Sequence, residues 1–220
     1  MEGVKSSAKQ ETHMNIDSNI EPAVVEQEQN IQVELCPAAD KYIICNMYPF
    51  YLYDLSEIWE RLPNRYGVFE EDDCCATLAQ QSDVFKIWWR HPGVLFPFLI
   101  RVNGIPAGFA LVSTPPYVPA GEQVEYFLHE FFLMRPFRGK GIAQQAAKYV
   151  FDSFSGRWAL HTNPTGRNMH TRRFWRQLLA DYTSYKYDEE PFESDENGPL
   201  LTFRFVSQAS PSSAQVEIQK

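Results

Sequence analysis

The sequence predicts a mixed α/β fold (α+β, built on a mixed sheet), and three observations carry that expectation. Short apolar runs bounded by turn residues alternate with stretches of helical periodicity. Asn103-Gly104 separates two such runs and supplies the positive φ angles that a tight two-residue turn requires. Ile142, Ala143, Ala146, Ala147, Val150 and Phe151 fall on one face of a helix. The element order reads β-α-α-β-β-β-α-β-α-β-β.

Residues 31–36 alternate apolar and polar side chains, as a strand does. From 38 to 59 the spacing is helical, with Ile44, Met47, Tyr48, Tyr51, Leu52 and Leu55 near one side, and Pro49 is expected to kink or divide that helix. Residues 71–82 read as a short helix and loop. Residues 94–102 and 105–113 form the hairpin around Asn103-Gly104. A long aromatic strand at 124–134 leads through a basic, glycine-containing turn at 138–143 into the helix of Ile142 and Phe151. Residues 158–162 are a short strand. Asn168 is placed to cap the next helix, whose apolar face holds Phe174, Trp175, Leu178, Leu179 and Tyr182. Residues 183–187 and 200–206 are expected to be the last two strands.

Of the 220 residues, 44% are hydrophobic and 15% aromatic, which supports one packed domain and excludes a wholly disordered chain. Residues 1–30, rich in Glu, Gln, Ser and Asn, and residues 207–220 are expected to be flexible tails around a domain at 31–206. No stretch approaches the roughly 18 consecutive apolar residues of a membrane span, and no apolar segment near the N-terminus resembles a secretory signal. Cys36, Cys45, Cys74 and Cys75 show no Cys-x-x-Cys spacing and complete no zinc pattern with histidine. They read as reduced thiols, the expected location is cytoplasmic, and no metal is expected.

The net charge of −8 excludes a protein that binds polyanions through overall basicity. It is an average, however. Residues 135–176 hold nine basic side chains and one acid, a balance of +8 that leaves −16 elsewhere. That split points to a localised anion site. Arg138-Gly139-Lys140-Gly141-Ile142-Ala143, between a strand and a helix, suits one: glycines allow close backbone approach, N–H groups converge at the positive helix end, and Arg138 and Lys140 add charge. It is not a Walker loop, because no Gly-Lys-[Ser/Thr] ending is present, and Gln144 breaks the Gly-x-Gly-x-x-Gly dinucleotide pattern.

Arg138, Gly141 and Ala143 match the Arg-x-x-Gly-x-Gly/Ala signature of the GNAT N-acetyltransferase superfamily. Asn168, with Phe174 and Trp175 following, resembles that superfamily's next motif, in which Asn opens a helix that carries Phe-Tyr. The Glu-Phe-Phe and Phe-Trp-Arg stretches resemble a little-characterised bacterial group of predicted acetyltransferases. The resemblance covers 31–206 in layout, is specific over about 126–182, and implies a central mixed sheet flanked by helices on both faces. It also implies acetyl-CoA as co-substrate. Backbone groups near Leu133 and Met134 would pair with the pantetheine arm, N–H groups of Gly139, Lys140, Gly141, Ile142 and Ala143 would hold the pyrophosphate, and Asn168 and Trp175 would contact the cofactor further along. Arg172, Arg173 and Arg176 either meet the 3′-phosphate or form a solvated helix face.

Acetyl transfer to an amine needs a base, and Glu130 is the candidate, since a carboxylate in an aromatic strand requires a reason to be there. His129 points to the opposite face of a regular strand, whereas a bulge would exchange the two. Many family members place the base three residues earlier, where Phe127 stands here. Trp175 replaces the family's Tyr, the usual acid, and indole delivers no proton; Tyr182 is an alternative donor. Tyr51, Tyr53, Asp54, Glu57 and the acidic run 188–196 suggest a cationic small molecule or peptide amine as acceptor. The rival readings are a non-catalytic acyl-CoA-binding module and a nucleic-acid patch on the basic segment. Neither a nucleic-acid nor a membrane partner is expected.

Overall fold

The computed structural model describes residues 29–69, 75–194 and 198–208. The readings for 1–28, 70–74, 195–197 and 209–220 lie outside the described residues, most of both expected tails among them. The strands are β1 (Ile31–Leu35), β2 (Leu95–Val102), β3 (Ile105–Ser113), β4 (Tyr126–Leu133), β5 (Gly156–Thr162), β6 (Tyr187–Ser194) and β7 (Gly198–Ser207). The α-helices are α1 (Lys41–Trp59), α2 (Leu78–Val84), α3 (Ile142–Asp152) and α4 (Met169–Thr183). The strands form one sheet in the order β1-β2-β3-β4-β5-β7-β6, antiparallel except where β4 meets β5. The order of strands and α-helices along the chain is the one the sequence predicts.

Local chemistry explains most of these elements. Asn103 and Gly104 have φ of 52° and 78°, the two positive angles of the tight turn between β2 and β3. A capping box opens α2: the Thr77 side chain accepts from the Gln80 N–H, and the Gln80 side chain returns a bond to the Thr77 N–H. Pro49 neither divides nor ends α1, which runs through it for 19 residues. Buried Ile44, Cys45 and Met47 before the proline, and the packed Tyr51 ring after it, hold both halves against the sheet. Burial also pushes the Cys36 thiol up to about 12, so it stays an inert core group.

Two layers of core flank the sheet. On one face α3 and α4 bury Ala146, Val150, Trp175 and Leu178 against Phe98, Ile100, Leu128, Trp158 and Phe205. On the other, α1 covers Leu99, Phe109, Leu111 and Phe132. Full burial of each large side chain stabilises by about 1.5–3 kcal/mol.

The C-terminal part departs from expectation twice. Residues 183–186 are not a strand: α4 continues to Thr183, and Ser184 and Tyr185 turn the chain with φ of 52° and 64°, so that strand pairing starts only at Tyr187. The next strand, β6, occupies most of the acidic run read as suggesting a cationic acceptor, and pairs along its length with β7. Two of its four acids are matched by arginines from elsewhere, Glu189 by Arg176 and Glu190 by Arg204.

The same pairing corrects the division of charge into a basic ligand site and an acidic remainder. Arg135 and Arg138 bind Asp54, Arg157 binds Glu125, Arg167 binds Glu60 and Arg176 binds Glu189. More than half of the basic segment's side chains face acids of this chain, so the two signs largely neutralise each other.

Candidate functional site

The sheet splits at one place. Parallel pairing between β4 and β5 covers Tyr126 to Leu128 against Trp158 to Leu160 and stops, although β4 continues to Leu133. A wedge-shaped gap opens there. Met134 N–H donates to the Ala107 carbonyl (2.8 Å) and the Met134 carbonyl accepts from Phe137 N–H (3.0 Å), so neither backbone group of Met134 is left for a ligand strand. Strand alternation then turns the backbone groups of Phe131 and Leu133 toward the gap. The Leu133 carbonyl already accepts from Arg138 Nε (2.6 Å). Gly108 allows this geometry on the β3 side, because a Cβ there would stand 2.0 Å from the Phe132 carbonyl oxygen.

Beyond the gap, the basic turn is built as expected of an anion cradle, but by backbone. Gly139 and Gly141 have φ of 75° and 74°, and no side chain caps α3. Among the described residues, the N–H groups of Gly139, Lys140, Gly141, Ile142, Ala143 and Gln144 meet no acceptor. The Arg138 charge is paired with Asp54, whereas the Lys140 ammonium keeps its charge beside the turn. The Arg138 guanidinium binds Asp54 and lies 5.6 Å from the Phe132 ring centre, and Lys140 Nζ donates to the Pro136 carbonyl (2.9 Å).

Asn168 does not cap α4 with its side chain. It is 3% exposed, and its Nδ2 donates to Thr162 Oγ1 (2.7 Å) and to the Asn163 carbonyl (2.8 Å) at the end of β5. Among the described residues its Oδ1 is buried without a partner, and so is Arg172 Nε one helical turn on. A buried polar atom without a partner costs about 1–3 kcal/mol. An acceptor and a donor left open on one face of α4 therefore mark a place for a polar group.

Glu130 lies on the α1 face. The β3–β4 register shifts between Leu111 and Val112, which pair with Glu130 and Leu128, so His129 is the extra residue of a β-bulge. The bulge puts His129 and Glu130 on the same face rather than on opposite ones. His129 Nε2 lies 2.8 Å from Ser113 Oγ and 3.1 Å from the Tyr117 carbonyl, and the ring packs against Trp88 and Phe127. Burial holds His129 at about 4, so it is a neutral anchor for the loop after β3. Glu130 accepts one hydrogen bond, from the Tyr51 hydroxyl on α1. Burial pushes its carboxyl up to about 8.

Residues 52–180, more than half of the chain, match the family model described as the acetyltransferase (GNAT) family. The chain belongs to that family. Solved structures agree in fold. The aminoglycoside acetyltransferase AAC(6')-Ib in complex with coenzyme A and kanamycin is 13% identical, with 82% of this chain and 96% of that one covered and a TM-score of 0.56. RimJ of Mycobacterium smegmatis, in complex with CoA-disulfide, is 14% identical over 83% and 85% of the two chains, with a TM-score of 0.52. An acetyltransferase from Thermus thermophilus is 13% identical over 80% and 96%, with a TM-score of 0.52. A search among curated proteins finds no significant match.

Within this GNAT chain, Trp175 is a core residue. It is 5% exposed, with its ring against Phe131, Phe151 and Phe174. Tyr182 is not poised to replace the family's acid. Its hydroxyl donates to Asp152 Oδ1 (2.7 Å) and contacts Ser207 Oγ, and burial raises its pKa. The sequence reading missed the link from Tyr51 to Glu130 and the unpartnered Arg172 Nε. It also missed Glu122, whose buried carboxylate receives His161, Thr202 and Arg204. Helical spacing placed Tyr51 on the inner side of α1, which was the available signal; Glu122 stands in a loop and gave none. Among the described residues no helix is long and apolar enough to cross a membrane, and no group of His, Cys, Asp and Glu could hold a metal.

Proposed function

We propose that the protein is an N-acetyltransferase that moves an acetyl group from acetyl-CoA to a primary amine of a small cationic molecule or peptide. The observation that carries this reading is the opening of β4 from β5 after Leu128 and Leu160, with Glu130 on the α1 side of the strand that opens.

The residues around that opening fit coenzyme A. The uncapped N–H groups of Gly139 to Ala143 suit a pyrophosphate. Phe131 and Leu133 offer strand-like backbone groups to the pantetheine arm. Its amides carry both a donor and an acceptor, matching the open Asn168 Oδ1 and Arg172 Nε. Trp175 supports the wall from behind Phe131. That two of the fold neighbours hold coenzyme A or its disulfide supports the assignment.

Acetyl-CoA supplies an activated thioester, whose thiol, of pKa about 8.5, is a fair leaving group without a dedicated acid. Glu130 takes the proton from the attacking amine, and a carboxyl whose pKa lies near the working pH is an effective base. N–H groups facing the gap at Phe131 and Leu133 stabilise the oxyanion. Asp54, Glu189 and Glu190 are engaged by arginines, so the cationic preference rests on Glu130, on exposed Glu57 and Tyr53 along α1, and on the remaining β6 acids Asp188 and Glu193.

The test is thiol release from acetyl-CoA over a panel of amines, repeated with Glu130→Gln. The expected result is turnover with at least one cationic amine and its loss in the variant. Saturable coenzyme A binding with no thiol release on any amine would instead identify a non-catalytic acyl-CoA-binding module.

A further inference from the structure

We propose that Tyr51 is the positioning residue for Glu130, holding the carboxylate in its ionised, proton-accepting form; this rests on Glu130 being the base. The Tyr51 ring is set by the core rather than by solvent. It meets Phe109 and Phe132 edge-on, with ring centres 5.7 and 5.6 Å away, and both partners are buried. Its hydroxyl reaches Glu130 Oε2, and among the described residues no other group hydrogen-bonds that carboxyl.

The charged and titratable groups nearby are committed elsewhere. On α1, Asp54 is bound by Arg135 and Arg138, and the Tyr48 ring packs on Phe85. On β4, His129 is tied to Ser113 and Tyr117. On β5, His161 hydrogen-bonds Glu122 directly and meets the Phe127 ring edge-on. In the short helical turn Phe85–Trp89, Lys86 pairs with Asp83. The Tyr51 O–H is therefore the one contact that stabilises the Glu130 anion against burial. When Glu130 gains the amine proton, an N–H bond breaks and an O–H bond forms on the carboxyl. The carboxylic acid can then donate to the Tyr51 oxygen without movement of either heavy atom.

The experiment follows the ¹³C-labelled glutamate carboxyl signals of the full chain by NMR through a pH titration. The Glu130 signal is identified by its loss in Glu130→Gln. In Tyr51→Phe, which keeps the ring and removes the hydroxyl, the Glu130 midpoint is expected to rise by about 1 pH unit, a tenfold weaker acid. Tyr51→His, which restores a donor, is expected to bring it part of the way back. In turnover, Tyr51→Phe should lower kcat at pH 7 about tenfold, leave KM for acetyl-CoA unchanged and converge on the parent at high pH. An unmoved midpoint in Tyr51→Phe overturns the proposal. If Glu130→Gln retains full turnover, the base assignment fails, while the NMR midpoint still decides whether Tyr51 governs Glu130.

Discussion

Two buried glutamates of this protein live in opposite electrostatic worlds. The Glu122 side chain has no exposed surface, yet four donors converge on it: His161 Nε2 (2.7 Å), Thr202 Oγ1 (3.0 Å) and two nitrogens of Arg204 (2.7 and 2.9 Å). Burial alone would raise its pKa, but those bonds outweigh it and hold the carboxyl at about 2. Among the described residues Glu130 meets one phenol and no cation, and it is driven up to about 8. Burial is common to both; the supply of donors separates them. A carboxylate with four donors is fixed in charge and serves the fold, whereas one with a single donor can change charge near neutral pH and serve chemistry.

Substitutions can break this contrast, beginning with the largest effect. Glu130→Gln should cut turnover by about 10²–10⁴-fold, the usual contribution of a general base, without lowering the melting temperature. Loss of both together would place Glu130 among the structural residues. Glu122→Gln should do the reverse. It leaves Arg204, only 30% exposed, facing a neutral amide, and should cost on the order of 3 kcal/mol in urea unfolding at pH 7.

The pH dependence of stability separates the pair by sign. Glu122 ionises more readily in the folded state than its ordinary value near 4.5, so the unfolded chain binds more protons and stability is lost as pH falls from about 4.5 to about 2. Glu130 ionises less readily when folded. Between about 4.5 and about 8 the unfolded chain has already released that proton, and stability declines as pH rises through this window. Unfolding midpoints of Glu130→Gln should lack that decline. The smallest effect sharpens the comparison: Glu125 is paired with Arg157, but both are exposed. Glu125→Gln should leave the melting temperature unchanged within error, showing that a partner matters to stability only when water is excluded.

The sequence made the fold legible wherever a signal was local. The Asn103-Gly104 turn, the α3 face and the aromatic strand at 126–133 each follow from neighbours a few residues away. β6 escaped because nothing within its acidic run shows that Glu189 and Glu190 meet Arg176 and Arg204, which α4 and β7 bring. The site divides likewise. Gly139, Gly141 and Glu130 could be named from the chain itself. The true disposition of the arginines could not, because whether Arg138 faces a ligand or Asp54 depends on where α1 lies. The bulge at His129, which sets the faces of His129 and Glu130, is a property of two strands in register and belongs to neither alone.

The position of β7 between β5 and β6 has a consequence for how the molecule is made. β6 emerges from the ribosome before β7, yet in the sheet its sole strand neighbour is β7. It can pair only once β7 has emerged, and the hairpin of the two joins the sheet through the pairing of β7 with β5. The pairing of β7 with β5 is long-range in sequence, of the kind that slows folding, whereas that of β6 with β7 is local. Thr202 and Arg204 ride on β7, so Glu122 acquires most of its donors only when that strand docks. A chain in which β7 has not docked leaves the Glu122 carboxylate with His161 alone among these partners.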